Sequence, residues 1–174
     1  MVEALFDPAL LRSFGDSPED VSRHLQAELD ALEGHLGTRQ GDWTRVQAGR
    51  EWSPAQELEH VLAIGRAGGK AVHLLLSEKE LRAFPQLQGE LKEGKRQTPD
   101  FARPSPDGLA WEAWTEAWQT HRQELESAAA RLRATPERRL WHPYFGELDA
   151  LDWMRSLVGH LRGHRELLER SVTP

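Results

Sequence analysis

Cysteine is absent from this chain of 174 residues. Its absence excludes disulfide bonds, thiolate ligands to a metal ion and a cysteine nucleophile. The sequence also lacks any run of about 18 consecutive apolar residues, so we expect no membrane-spanning segment and no membrane partner. The N-terminal residues show neither the basic head nor the apolar stretch of a signal peptide, and we expect a soluble, cytoplasmic protein.

An excess of basic residues is missing as well. Lys and Arg number 22 against 28 Asp and Glu, which gives a formal net charge of −6. Because proteins that bind nucleic acid usually present a basic face, this balance argues against a nucleic-acid partner. The length suits one domain with a sizeable core, and we assign residues 1–174 to a single domain.

Helical periodicity dominates the sequence, whereas alternating strand patterns are scarce. Two helix starts are explicit: Ser17 precedes Pro18, and Ser53 precedes Pro54 with Gln56 completing a capping box. A connection rich in proline, glycine and charge follows the second helix. The sequence therefore predicts an all-α four-helix bundle with a long crossover between helices two and three. The four helices are expected at about 17–36, 53–76, 107–134 and 149–170, with the crossover at about 82–106.

The inner faces of the middle helices carry two unusual features. Gly65, Gly68 and Gly69 each cost the second helix roughly 1 kcal/mol relative to alanine. They are either close-packing points or the site of a kink. The third helix repeats Trp111, Trp114, Trp118 and His121 at spacings of three and four, which is typical of a bundle seam. His121 either approaches a functional site or forms a hydrogen bond within the core.

Two of the eight histidines, His160 and His164, lie four residues apart on the seam of the fourth helix. Four helical residues correspond to a rotation of about 400° and a rise of about 6 Å, so both imidazoles leave the same face. This is the spacing by which one helix supplies two ligands to one metal ion. Such a pair also arises by chance, but an unpaired imidazole on a seam would be costly to bury.

His60 is the candidate for a third ligand, because it follows the capped start of the second helix. His24, His35, His73, His121 and His142 compete for that place, although His24 and His35 lie off the apolar stripe of their helix.

The positions of these histidines along their helices predict a topology. His60 lies roughly 9 Å along the second helix from its start, and the pair lies roughly 12 Å before the end of the fourth. These levels match if helices two and four are antiparallel. A crossover between helices two and three makes this arrangement up-down-down-up, with helices two and three parallel.

Half of a di-iron motif is also present, since Glu57-Leu58-Glu59-His60 has the form Glu-x-x-His. The residues three before His160 and His164 are leucines, so we do not expect a dinuclear site. Glu57 and Glu59 fit the ordinary role of acidic residues in the first turns of a helix.

At these residues the chain resembles the DinB/YfiT-like superfamily. The resemblance rests on Trp52-Ser53-Pro54 with Glu57 and His60, on His142-Pro143-Tyr144-Phe145-Gly146-Glu147-Leu148, and on Trp153 with the His160/His164 pair. It implies an up-down-down-up bundle, often dimeric, that binds one divalent metal ion such as nickel or zinc through His60, His160 and His164. The seven tryptophans are compatible with a homodimer or with an aromatic core.

The resemblance leaves two classes of function open. Some members are thiol-dependent transferases or isomerases that use mycothiol, bacillithiol or glutathione, and others are described as metal-dependent hydrolases. An enzyme of this chain would act on a small molecule and, having no cysteine, would take its thiol from outside, with Arg155, Arg162 or Arg165 to dock the carboxylates. The alternative is a non-catalytic stress-response or binding module whose metal site is structural or vestigial. Catalytic and substrate-binding residues stay unassigned.

Overall fold

The computed structural model describes residues 2–171, and its architecture is built from four long α-helices. They are α1 (Pro18–Leu36), α2 (Pro54–Leu76), α3 (Trp111–Ala129) and α4 (Ala150–Arg170). Two short antiparallel hairpins pair β1 (Leu91–Lys92) with β2 (Lys95–Arg96) and β3 (Leu140–His142) with β4 (Gly146–Leu148). Short 3-10 helices cover Pro8–Phe14, Gln40–Asp42 and Asp100–Ala102. Within residues 2–171, no helix is long and apolar enough to cross a membrane.

The predicted caps are present where the sequence places them. The side chain of Ser17 accepts a hydrogen bond from the backbone of Asp20, and Ser53 and Gln56 form the reciprocal capping box. Asp149 accepts from the backbone of Asp152 at the start of α4. Each cap satisfies an amide that the first helical turn leaves without a partner, so the starts of three helices follow from local sequence.

The third helix is shorter than the predicted span of about 107–134. Gly108 has a φ of +68° and lies against the backbone of Ala55, so the chain leaves the helical path there and α3 begins beyond it. At the other end, the amides of Arg131 and Leu132 bond to carbonyls three residues back, which tightens the chain into turns. Neither of these features can be predicted from the periodicity of apolar residues.

Helices α2 and α4 are antiparallel. Glu57 near the start of α2 contacts His164 in the second half of α4. Further along α2, a Cβ added at Gly68 would meet the side chain of Leu157, which lies earlier in α4. The contacts thus move backwards along α4 as they move forwards along α2. This is the direction predicted from the positions of the histidines along the two helices.

Helices α2 and α3 are parallel. Gly65 lies against His121 and Gly69 against Leu125, so the contacts advance together along both helices. The helix α2 continues through these glycines, and Gly65 and Gly68 are close-packing points.

The first helix completes the bundle by running parallel to α4. Glu28 pairs with Arg162, and Arg39 later in the chain donates to the carbonyl of Leu168, at 2.8 Å in both cases. With α2 and α3 parallel to each other and antiparallel to the outer two, the predicted up-down-down-up bundle is confirmed. The core consists of the buried apolar faces of the four helices, among them Val21, Leu25, Leu29, Leu58, Val61, Leu75, Trp118, Leu125, Met154 and Val158.

Candidate metal centre

The antiparallel packing of α2 and α4 brings His60, His160 and His164 together. One candidate ligand atom from each side chain lies within 4.8 Å of the others, and the Nε2 atoms of His60 and His160 are 3.1 Å apart. The ring centres of His160 and His164 are 4.3 Å apart, as expected for imidazoles that leave one helix face four residues apart. His60 is buried and the other two are half-buried. The structure therefore assembles the predicted trio from two helices.

Hydrogen bonds on the far side of the rings set the tautomers of two of these histidines. His60 Nδ1 lies 3.0 Å from the carbonyl oxygen of Ala102, so it must carry the hydrogen and donate it. His164 Nδ1 likewise faces a carboxylate oxygen of Glu57. A neutral imidazole with hydrogen on Nδ1 has its lone pair on Nε2, so both rings present an acceptor nitrogen toward the trio.

Glu57 is the carboxylate that orients His164. The sequence suggested only the ordinary role of an acidic residue in the first turn of a helix, and that interpretation was incomplete. The side chain is 1% exposed, and its second oxygen accepts a hydrogen bond from Arg50 at 2.8 Å. Burial by itself would raise the Glu57 pKa, but the bonds and charges of His164 and Arg50 outweigh it and hold the pKa below its ordinary value. Glu57 is thus an anion buried behind the trio, where metal-bound histidines commonly find a carboxylate partner.

Two members of the trio, His60 and His160, are poised to be uncharged at neutral pH. Burial, with a smaller contribution from His164, lowers the His60 pKa to about 4. Burial also lowers the pKa of His160 well below its ordinary value. Metal ligation requires neutral imidazoles, so the environment keeps these two rings in the form that can bind a cation. The indole of Trp52 packs against His60, with ring centres 4.9 Å apart and ring planes tilted by 42°.

Two further residues contribute to the electrostatics of His160: Arg96, which the sequence did not single out, and His142, one of the competitors for the third ligand position. The positive charge of Arg96 and the imidazole of His142 both contribute to lowering the His160 pKa, after burial and the other two histidines. Arg96 belongs to the crossover, so no helical periodicity indicated that it returns to the histidines. His142 was quoted within the family motif, but that motif does not show which elements it faces.

The remaining histidines that competed for the third place lie outside the trio. His35 Nε2 is 3.0 Å from a guanidinium nitrogen of Arg39, and His73 contacts Arg131 at 2.8 Å. His24 is half-buried on α1. His121 is buried on α3 against Gly65, and neither of its ring nitrogens has a hydrogen-bond partner in the described part of the chain. Neither alternative raised by the sequence therefore holds for His121, which lies outside the trio and forms no side-chain hydrogen bond within residues 2–171.

The three α4 arginines that the sequence offered for docking carboxylates are engaged by the protein itself. Arg162 and Arg165 donate through Nε to the two oxygens of buried Glu28, at 2.8 and 2.7 Å. Arg155 donates to the carbonyl of Gly15 at 2.9 Å. These arginines fasten α4 to α1 and to the residues that precede α1. They are therefore unsuited to docking the carboxylates of a small molecule.

Four helices in up-down-down-up order, with three histidines converging from α2 and α4, define a bundle protein with a candidate metal-binding centre. The chain belongs to the DinB superfamily, because the sequence profile of that family matches residues 24–168. The resemblance drawn from the histidine motifs is thereby confirmed at the level of the family.

Two known proteins are similar to this chain. The protein YuaE of Bacillus subtilis (strain 168) is 26% identical over 143 residues, which cover 80% of this chain and 88% of YuaE. The crystal structure of TT2238, a four-helix bundle protein, matches with a TM-score of 0.61 at 21% identity, covering 89% of this chain and all of TT2238. At that identity the second likeness supports the fold alone.

Proposed function

We propose that His60, His160 and His164 bind one divalent metal ion, nickel or zinc, and that the chain is a metal-dependent enzyme acting on a small molecule. The observation that carries the proposal is the convergence of the trio while the Nδ1 hydrogens of His60 and His164 are committed elsewhere. When neutral, His60 and His164 therefore direct acceptor nitrogens toward His160, and a cation among the three rings would take a lone pair from each of them. Three neutral imidazoles are a suitable ligand set for such an ion.

An open coordination position favours catalysis over a purely structural role. Structural zinc sites usually have four protein ligands, whereas catalytic sites have three and leave a position for water or substrate. An ion held by this trio would lower the pKa of a bound water or thiol toward neutrality. The protein's own contribution is to fix the rings through Ala102 and Glu57 and to pack Trp52 against His60.

Transfer of an external thiol is the reaction class we favour. The metal would ionise a bound water and a bound thiol alike, so this preference rests on the family resemblance, whose members include thiol-dependent transferases. Both oxygens of Glu57 are engaged, by His164 and Arg50, so Glu57 is not a free base for either reaction. Because the chain has no cysteine, the thiol is a low-molecular-weight cosubstrate supplied from solution.

The experiment offers the metal-loaded protein two chromogenic reactions. One is conjugation of glutathione to an aryl halide, and the other is hydrolysis of a nitrophenyl ester. We expect metal-dependent conjugation that disappears in chelator-treated protein and in His164→Ala. Hydrolysis without conjugation would assign the hydrolase class. The non-catalytic alternative predicts neither reaction, together with a large fall in melting temperature when the metal is removed.

A further inference from the structure

Arg50 lies in the connection between α1 and α2, and it contacts the buried carboxylate behind the histidine trio. A terminal guanidinium nitrogen of Arg50 donates to Oε2 of Glu57 at 2.8 Å, while Oε1 of the same carboxylate contacts Nδ1 of His164. The Arg50 side chain is only 23% exposed. A chain of three hydrogen-bonded side chains therefore leads from this connection to the candidate metal centre.

Backbone hydrogen bonds hold the connection against the starts of two helices. The carbonyl of Trp43 accepts from the amide of Ala55 at 2.9 Å, and the Trp43 indole donates to the carbonyl of Leu109 at 2.7 Å. The amide of Arg50 closes a turn onto the carbonyl of Gln47 at 3.0 Å. The guanidinium of Arg50 therefore extends from a fixed backbone and is not a loose surface group.

Arg50 supplies the permanent positive charge beside Glu57. Within residues 2–171, the ion pairs of Glu57 are those with Arg50 and His164. An imidazole that binds a metal ion is neutral and offers the carboxylate only a hydrogen bond, whereas a guanidinium stays charged. Because a buried anion is costly unless it is paired, Arg50 is the partner that compensates the charge of Glu57.

The orientation of the carboxylate also depends on having a partner at each oxygen. A carboxylate with one partner can rotate about its last bond and exchange its two oxygens. Since Arg50 holds Oε2 of Glu57, Oε1 is directed at Nδ1 of His164. That hydrogen bond in turn directs the opposite ring nitrogen of His164 toward the trio, which is the usual effect of a carboxylate behind a metal-bound histidine.

We propose that Arg50 is a positioning residue of the metal centre. By holding one oxygen of Glu57 it fixes the other on His164, and it thereby raises the affinity of the trio for its ion without contacting a ligand. This inference rests on the proposed function, because it takes the trio as the metal site. A purely structural Arg50 would instead compensate the buried charge and stabilise the fold, with no effect on how the folded chain binds metal.

The test measures metal affinity and stability separately in the full chain. Competition with a chromophoric chelator gives the zinc affinity, and the visible spectrum of the Co²⁺-loaded protein reports the ligand geometry. Urea denaturation in excess chelator gives the free energy of unfolding without metal. The variants are Arg50→Gln, Arg50→Met, Arg50→Lys and the combination of Arg50→Gln with Glu57→Gln. Arg45→Gln is the matched control, because Arg45 carries the same charge in the same connection and its side chain is exposed.

We expect Arg50→Gln and Arg50→Met to bind zinc about 5- to 10-fold more weakly and to alter the cobalt spectrum, which is less than the loss of a direct partner of a metal-bound histidine would cause. Arg50→Lys should recover most of the affinity, because it restores the charge and a single nitrogen of Arg50 contacts Glu57. Arg45→Gln should match wild type. In the Glu57→Gln background, Arg50→Gln should cause no further loss, because residues that act through one another are not additive.

Four results contradict the inference. If Arg50→Gln folds and loses stability in chelator but binds zinc as wild type does, Arg50 serves the fold alone, although the proposed function stands. The same conclusion follows if neither Arg50→Gln nor Arg50→Met folds. If the losses of Arg50→Gln and Glu57→Gln add in full, Arg50 does not act through Glu57. If wild type binds no metal at all, the proposed function fails and the inference fails with it.

Discussion

Glu57 connects the two helices that carry the histidines, and its effect on metal affinity can be tested at this single residue. Glu57→Gln keeps the shape but places an amide donor against His164 or Arg50, so the imidazole loses its carboxylate. We expect the variant to bind metal about 10- to 100-fold more weakly, as is typical when the partner of a metal-bound histidine is removed. Competition with a chromophoric chelator measures the affinity.

Glu59→Gln is the control for this comparison. Glu59 lies two residues along the same helix and accepts hydrogen bonds from Ser105, not from a histidine. It should leave metal affinity unchanged. If Glu57→Gln and Glu59→Gln bound metal equally well, Glu57 would have no part in orienting His164.

Also at the residue scale, His121 should destabilise the folded chain, because it is buried without hydrogen-bond partners in the described structure. Burial, with a smaller contribution from Arg66, lowers its pKa from 6.5 to about 4. The folded state therefore binds fewer protons than the unfolded state between these values. The stability due to neutral His121 is complete above pH 6.5 and is lost as the pH falls toward 4, by about 3 kcal/mol in all.

We predict that His121→Leu stabilises the chain and reduces its sensitivity to acid. Removing two unsatisfied buried nitrogens should gain about 1 to 3 kcal/mol at pH 7. Denaturant unfolding of both proteins in chelator, at pH 7 and pH 5, measures the difference. His60 and His160 shift in the same direction, so wild type and variant both lose stability in acid. An unchanged difference between the two proteins at pH 7 and pH 5 would show that His121 is not the group responsible.

At the scale of elements, the glycines of α2 set how closely its neighbours approach. A Cβ at Gly65 would lie 2.3 Å from ring atoms of His121, and one at Gly68 would lie 2.4 Å from Leu157. We expect Gly65→Ala and Gly68→Ala each to destabilise by about 1 to 3 kcal/mol, because overpacking outweighs the gain in helix propensity. Urea denaturation gives the free energy of unfolding.

Gly163 provides the matched control on α4. A Cβ there meets no atom of residues 2–171 within 4 Å, so Gly163→Ala should stabilise the protein by about 0.5 to 1 kcal/mol through helix propensity alone. Stabilisation by Gly68→Ala of the same size would rule out close packing of α2 on α4.

The helices and the trio could be predicted from the sequence, whereas much of what surrounds them could not. Caps such as Ser53 and the spacing of His160 and His164 are local features, so periodicity and capping rules locate them. The early start and end of α3 depend on turn geometry and on a contact with Ala55, which lies far away in sequence. Arg96 packs on Tyr144 because the hydroxyl of Tyr144 joins one hairpin to the other, and no periodic pattern encodes that contact.

The choice of the third histidine needed the whole topology. His60 and His121 are both buried, but periodicity placed only His121 on a helix seam, so it could not by itself favour His60. They are separated by the direction of the crossover, which sets α2 antiparallel to α4 and places His60 at the level of the pair. The histidine levels and the long connection predicted that direction, and the interhelical contacts confirm it.

At the scale of the whole molecule, we retain the prediction of a homodimer. Several large apolar side chains are exposed on the described surface, and a dimer interface would cover such side chains: Leu10, Phe84, Leu87 and Phe101. Light scattering at micromolar concentration should give twice the mass of one chain. A monomer under those conditions would contradict the prediction.

The central claim is that one divalent metal ion binds to His60, His160 and His164, and elemental analysis of untagged protein tests it most directly. We predict about one equivalent of metal per chain in wild type and in the His24→Ala and His121→Ala controls. His60→Ala and His164→Ala should lose stoichiometric binding, because each leaves two ligands. A wild-type protein that cannot be loaded with nickel or zinc would contradict the claim, as would metal loss in His121→Ala with full occupancy in His60→Ala.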